Sequence, residues 1–527
     1  AVMKGLEGYL DYQAAISLEG QGMDLRLESD GLGLQSRLPS PLAKSAKEAW
    51  PIRVEMVPGQ RFGGDIALQG IRRDDQIRIR LREDAEVWLG RERVKPQDPM
   101  RVASGVIAIN SDALLPSRGL AISANVGHLE VDPWLTLMQG DGQPTSGTLV
   151  PERLAISAKH LRYGHRELSD AVLGASFDRG HWRLNVESRE LAGFASWRVD
   201  SQDDPGELLG RFRRVHWPQQ EPELAQRIRK LDLAPQRLPA MDIQIDSLRI
   251  GERDLGASAI KASSRRREGA WFWSLDDMQL QVQGARLLAS GDWKANAMQL
   301  EIDLKIDNAG QALTKLGFPD SFRGGEGRLA GRLAWRGLPW DPHVPSLEGR
   351  LELALGRGRF LRTEPGVAKL LSVFNLQSLP RRLSLDFSDI FSSGYSFDGL
   401  RATAAIRQGI VYTDDFSMLG LQAVVGLRGS IDLSSETQIM EAQVVPNLDA
   451  GMAAVAYGAL INPFVGLGSL VAQYALAEPL KRLLTYRYAI SGSWDEPQVI
   501  ELGREGLIDL LRQSPSTTKP PQKDKPG

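Results

Sequence analysis

Six histidines are the chain's candidates for metal ligation or general-base chemistry: His128, His160, His165, His181, His216 and His343. A zinc site needs ligands at short, regular spacing, as in H-E-x-x-H, and none of these histidines has it. His160 and His165 are near enough in sequence to approach one another, and a solvated pair is the simpler reading. There is no cysteine, which removes disulfides, thiolate metal sites and cysteine nucleophiles. Zero cysteine also suits a chain exported to an oxidising space. No G-x-S-x-G elbow and no P-loop is present, and Gly356-Arg357-Gly358 lacks the rest of a dinucleotide fingerprint. Asp and Glu total 66, but they alternate with apolar residues, as on a solvated strand face. With Lys and Arg at 64, the net charge is −2, which gives no drive toward nucleic acid. Arg72-Arg73 and Arg265-Arg266-Arg267 lack interleaved aromatics and read as hairpin tips. The inventory points away from an enzyme, a metal centre, a cofactor site or a nucleic-acid binder.

What remains is the chemistry of faces, and faces belong to elements. Of 527 residues, 42% are hydrophobic and 25% charged, a globular balance, while 53 glycines and 12 tryptophans lean toward β structure. Strict apolar/polar alternation recurs from end to end. In the clearest run, Met298, Leu300, Ile302, Leu304 and Ile306 fall on one face, with Gln299, Glu301, Asp303, Lys305 and Asp307 on the other. A period of two is the pattern of a strand with one wet face. Met241, Ile243 and Ile245 repeat it, as do Leu383, Leu385 and Phe387. Turn signals between the runs describe a long antiparallel meander.

Leu161-Arg-Tyr-Gly-His-Arg-Glu-Leu168 matches Leu248-Arg-Ile-Gly-Glu-Arg-Asp-Leu255, 87 positions later. The flanking strands and tryptophans follow in the same order, which suggests a duplicated unit, residues 154–197 and 241–293. Short helices are expected near 131–138, 222–231 and 307–316, the first with Asp132 as N-cap and Pro133 at the first helical position. After residue 366 the texture changes. An amphipathic helix is expected over 367–376. Residues 450–477 carry no charge and are broken by Asn462-Pro463, which reads as a helical hairpin near 450–461 and 464–483. A last helix is expected near 505–513. The organisation is a repetitive β body over 1–345, a C-terminal region over 346–513 and a disordered tail over 514–527. The opening residues read as a sheet joined in mid-course, as in a fragment of a longer protein or one whose leader or anchor has been removed.

So few helices cannot cover so many strands, and no division into sandwiches is visible. The expected fold is mainly β: a long, twisted, antiparallel sheet curled into a taco-like apolar groove, with a few capping helices and the C-terminal hairpin. Met241, Ile243, Ile245, Met298, Leu300, Ile302, Leu304, Ile306, Leu383, Leu385 and Phe387 would line it. An apolar groove open to water needs an apolar occupant, and lipid acyl chains are the obvious one. The hairpin would either plug the open end of the sheet as core or enter a membrane surface through Phe464, Val465 and Leu467, with Lys481 and Arg482 meeting anionic headgroups.

The C-terminal region also carries a recognisable order of segments. Gly358-Arg-Phe360 is followed by Leu371-Ser-Val-Phe-Asn-Leu-Gln-Ser-Leu379, Arg382-Leu-Ser-Leu-Asp-Phe-Ser-Asp-Ile-Phe391 and Tyr395-Ser-Phe-Asp-Gly399. Gly409-Ile-Val411, Leu427-Arg-Gly-Ser-Ile-Asp-Leu433, Val445-Pro446 and Tyr488-Ala-Ile-Ser-Gly-Ser-Trp-Asp-Glu-Pro497 complete it. This order resembles the AsmA-like family of bacterial envelope proteins. The resemblance implies a bridge-like lipid transfer protein in the periplasm of a Gram-negative bacterium. Its groove would carry phospholipids toward the outer membrane, and the full-length protein would be anchored in the inner membrane by an N-terminal helix that is missing here. It brings no catalytic residues. A scaffold assembling outer-membrane proteins through exposed strand edges is the alternative.

Overall fold

The computed structural model describes residues 5–19, 22–58, 75–92, 100–112, 114–139, 151–164, 166–198, 205–217, 238–267, 270–361, 395–420, 423–446 and 486–502. Among them the chain is mainly β, with thirty strands, two α-helices and one short 3-10 helix. It divides into two compact units, residues 1–220 with 239–251 and residues 221–238 with 252–527.

In the first unit thirteen strands, from Gln13–Glu19 to Ala240–Ile250, form one ladder, each hydrogen-bonded to the next. The registers stack the apolar members of each alternating run. Leu25 opposes Met56, Met56 opposes Ile77 and Ile77 opposes Leu89. Further along, Ile156 opposes Leu173, which opposes Val186. Since cross-strand partners share a face, one side of the ladder is largely apolar, interrupted near one margin by the ion pair of Asp75 and Arg91.

Most pairs are antiparallel, as the turn signals between the runs predict, but three in this unit are parallel. Arg101–Ile109 pairs with Gly119–Glu130, Gly119–Glu130 with Pro151–Tyr163, and Glu207–Trp217 with Ala240–Ile250. Alternation reads the same in both chain directions. Direction is set by the connection, and a parallel neighbour requires the chain to cross back. Helix α1 (Val131–Gln139) lies in one such crossover. It starts a residue before the expected cap. Asp132 lies inside the first turn, where its carboxylate accepts from the Gly164 N–H at 2.5 Å.

In the second unit twelve strands, from Arg253–Arg267 to Pro497–Glu501, form a ladder of antiparallel pairs. Helix α2 (Ala309–Lys315) is capped by Asn308, whose side-chain oxygen accepts from the Gln311 N–H at 3.0 Å. From Tyr395 onward the apolar face is closed core, with Phe397, Val425, Met440, Ala442 and Tyr488 buried. At its border Phe322, Phe360 and Phe397 meet with ring centroids 5.0 to 5.7 Å apart. The helices expected at 222–231, 367–376, 450–461, 464–483 and 505–513, and the tail, lie outside the described residues.

Candidate functional site

The strand Ala297–Ile306 sits in the middle of the second unit's ladder and has the alternation its sequence requires. Met298 and Ile306, at its two ends, are 1% and 8% exposed. Leu300, Ile302 and Leu304, between them, are only half-buried. On one side they oppose Gly291, Ala289 and Leu287, and on the other Leu333, Gly331 and Leu329. Leu351 and Leu353 oppose Gly331 and Leu329 from the next strand. The result is an apolar strip crossing the ladder, half-open along its middle and closed along both margins.

Tryptophans close one margin. Trp273 opposes Trp293, Trp293 opposes Met298, and Met298 opposes Trp335. The three indoles are 4%, 0% and 6% exposed. A buried indole needs an acceptor for its N–H. Trp293 Nε1 donates to the Gly337 carbonyl at 2.8 Å, and Trp335 Nε1 to the Leu338 carbonyl at 2.9 Å. Helix α2 closes the other margin, its Ala312 packing on Val282 and Ala285, with Leu304 against them. Lys315 Nζ reaches Asp254 Oδ2 at 3.5 Å and ties the helix to the strand Arg253–Arg267.

The reverse side is polar and internally paired. Arg328 clamps Asp303 with Nε to Oδ1 at 2.6 Å and Nη2 to Oδ2 at 2.8 Å. The guanidinium hydrogen bonds hold the Asp303 carboxyl below its usual range and the Arg328 guanidinium above its own.

The first unit repeats the asymmetry. Met241, Ile243 and Ile245 are half-buried on one face of Ala240–Ile250, opposite Leu208, Gly210 and Phe212. At one margin, Trp134 of α1 packs on Leu129, Ala158 and Leu161, and its Nε1 donates to the Ser40 carbonyl at 3.0 Å. Leu42 covers Ala85, Ile109 and Ala124 nearby. At the opposite margin, Phe177 lies against Trp182, whose register partner is Trp197.

Of the expected lining residues, Met298 to Ile306 share one face in the second unit, and Met241, Ile243 and Ile245 share one in the first. Leu383, Leu385, Phe387, Phe464, Val465, Leu467, Lys481 and Arg482 lie outside the described residues. Leu287, Leu329, Leu333, Leu351 and Leu353 join the strip without having been singled out. Their signal was the same period of two, as in Glu-Gly-Arg-Leu-Glu-Leu-Ala-Leu over Glu348–Leu355. The tryptophan margin needs register and could not be read from spacing. His128 opposes His160, and His160 Nδ1 lies 2.5 Å from Glu167 Oε1 on an exposed face. Among the described residues no group of three or more such side chains could hold a metal ion, and no helix is long and apolar enough to cross a membrane.

Comparison with known families places this architecture. Residues 1–499 match the family described as YhdP protein. The chain is 25% identical over 542 residues to the intermembrane phospholipid transporter YhdP of Escherichia coli strain K12, covering 96% of this chain and 40% of that protein. It thus spans about two fifths of the length of that relative. A ladder with one apolar face, an AsmA-like C-terminal order of segments and a family match over nearly its whole length agree: the chain belongs to the YhdP family.

Proposed function

We propose that this chain is part of a bridge that carries phospholipids across the periplasm toward the outer membrane, its acyl chains lying on the apolar strip. The observation that carries the reading is the exposure of Leu300, Ile302 and Leu304 between buried ends. A contiguous apolar strip left half-open to water is unfavourable unless an apolar partner occupies it. Each acyl CH₂ moved from water onto it contributes about 0.8 kcal/mol, so a tail is held firmly yet slides between near-equivalent sites. The relative's description as an intermembrane phospholipid transporter supports phospholipid as the occupant. The strip acts by binding and guiding, with no bond made or broken. Anchoring of the full-length protein in the inner membrane is part of the same reading. So is contact of Phe464, Val465, Leu467, Lys481 and Arg482 with the receiving membrane.

Ile302→Asp tests it. A charge on the strip removes its apolar continuity and costs several kcal/mol when covered by lipid. We expect co-purified phospholipid to fall at least tenfold while thermal unfolding stays cooperative. Asp303→Asn, one residue along on the wet face, should leave lipid content unchanged. A folded Ile302→Asp protein with normal lipid content would refute the proposal.

A further inference from the structure

The strip of the second unit is not symmetric about its long axis, and the asymmetry matches that of a phospholipid. Six strands build it: Arg253–Arg267, Ala270–Val282, Ala285–Lys294, Ala297–Ile306, Gly327–Leu338 and Glu348–Leu355. From Ala257 onward, register assigns Ser258, Ile260, Ala262, Ser264 and Arg266 to the apolar face, opposite Leu280, Met278, Leu275, Trp273 and Trp271. Among the described residues, Arg266 is the one charged side chain that this stretch and the five following strands place on that face. It is exposed, stands at the tryptophan margin, and makes no ion pair among the described residues. Two residues inward, Ser264 Oγ is buried without a hydrogen-bond partner. Lys294 and Arg336 lie at the same margin on the reverse side, Lys294 with Nζ 4.4 Å from the Phe272 ring centroid. Toward the helix margin Ser258 Oγ is also buried without a partner, and the margins differ in charge: there Lys315 faces Asp254, and Lys305 faces Asp307 at 3.3 Å.

Read inward from Arg266, the face presents a cation, a hydroxyl, then hydrocarbon. A phospholipid presents a phosphate, ester oxygens, then hydrocarbon. The face is also long enough for an acyl chain. Ser264 to Ser258, the next polar side chain on this face, is six residues, or about 20 Å at ~3.3 Å per residue. One leaflet's acyl layer is about 15 Å, half of a ~30 Å hydrocarbon core. Tryptophan and arginine together are the side chains that settle at a polar–apolar boundary, and guanidinium matches phosphate geometry.

Resting on the reading of the strip as a phospholipid path, we infer that lipids lie across it in one orientation. The phosphate sits at the tryptophan margin beside Arg266, the ester region is level with Ser264, and the tails run along the strands toward α2. Arg266 is then a headgroup contact, and the fixed orientation keeps successive lipids in single file with the same polarity.

The test uses the whole chain loaded from vesicles of phosphatidylethanolamine carrying a photoreactive diazirine, placed either in the headgroup or at the tail end. After irradiation, labelled peptides are mapped by mass spectrometry. We expect the headgroup label within residues 264–273 and 293–298, and the tail-end label within residues 280–287 and 302–315. Arg266→Gln should cut headgroup labelling at least fivefold, Arg266→Lys should restore most of it, and uptake of diacylglycerol, which has no phosphate, should not change. Reversed labels, both labels at both margins, or equal loss of diacylglycerol and phospholipid in Arg266→Gln would overturn the orientation while leaving lipid binding intact. Uptake of neither lipid by the unaltered protein would remove the phospholipid path itself, and the orientation with it.

Discussion

Glu441 is the most constrained charge in the described chain. Its side chain has no exposure, yet it lies on the polar side of the ladder, opposite Arg428 in register. Arg428 Nη2 reaches Oε2 at 2.7 Å, Arg487 Nε reaches Oε1 at 2.9 Å, and Gln443 Nε2 donates at 3.3 Å. Burial by itself raises the carboxyl pKa; the hydrogen bonds from Arg428 and Arg487 outweigh it, and the net shift is downward from 4.5. A carboxylate with a depressed folded-state pKa contributes stability that is fully present above its unfolded value and lost as pH falls through the folded value. Glu441→Gln should therefore cost about 2–3 kcal/mol at pH 7, the loss of charge-assisted hydrogen bonds at a buried site. The difference from the unaltered protein should shrink below about pH 4.5. Urea unfolding at pH 7 and at pH 3 measures both. An equal difference at the two pH values would show that the charge itself is not what stabilises this site.

Two elements share more than a motif. Gly164 and Gly251 both have left-handed backbones, with φ of 61° and 56°. Each follows a strand that has a parallel neighbour, Pro151–Tyr163 beside Gly119–Glu130 and Ala240–Ile250 beside Glu207–Trp217. Each precedes a long strand, Arg166–Asp178 or Arg253–Arg267. We take this as support for duplication of 154–197 as 241–293. Glycine adopts this backbone without penalty, whereas a Cβ costs about 1–2 kcal/mol. At Gly164 no atom lies within 4 Å of a Cβ position, so the whole penalty there would be backbone strain. Alanine at either position should lower stability by about 1–2 kcal/mol in chemical denaturation. A neutral Gly164→Ala with a strongly destabilising Gly251→Ala would count against equivalent turns. For α2, Asn308→Ala should cost about 1 kcal/mol, since it removes the side-chain acceptor for the first turn. If the helix positions the strip's margin, lipid content should fall with it.

At the scale of the molecule, a path for lipid needs an exit as well as a floor. The uncharged run over residues 450–477, with Lys481 and Arg482 just beyond it, has the composition of an interfacial segment. We expect the chain to float with liposomes containing anionic lipid. Replacing Phe464, Val465 and Leu467 together by serine should abolish flotation and leave thermal unfolding of the ladders unchanged. Ile302→Asp should float normally, because it leaves the sequence of residues 450–483 unchanged. Persistent flotation of the serine variant would move the contact elsewhere.

The sequence by itself determined which residues form strands, which side chains share a face, and where α1 and α2 lie. All three depend on short-range periodicity and local caps. Met298 to Ile306 were legible for that reason, as were the glycines of the repeated turn. Tertiary structure alone decided the three parallel pairs, because alternation carries no chain direction. It also decided that Trp273, Trp293 and Trp335 form one margin, that Arg266 is the one charged side chain on the apolar face among the described residues from Ala257 to Leu355, and that Glu441 is clamped by Arg428 and Arg487. Each of these depends on register between strands far apart in the chain, and a shift of one residue would turn every side chain to the opposite face. Whether Leu300, Ile302 and Leu304 are covered or left half-open was likewise undecided by their own alternation. It depends on what packs above them, and among the described residues the tryptophans and α2 reach only the margins.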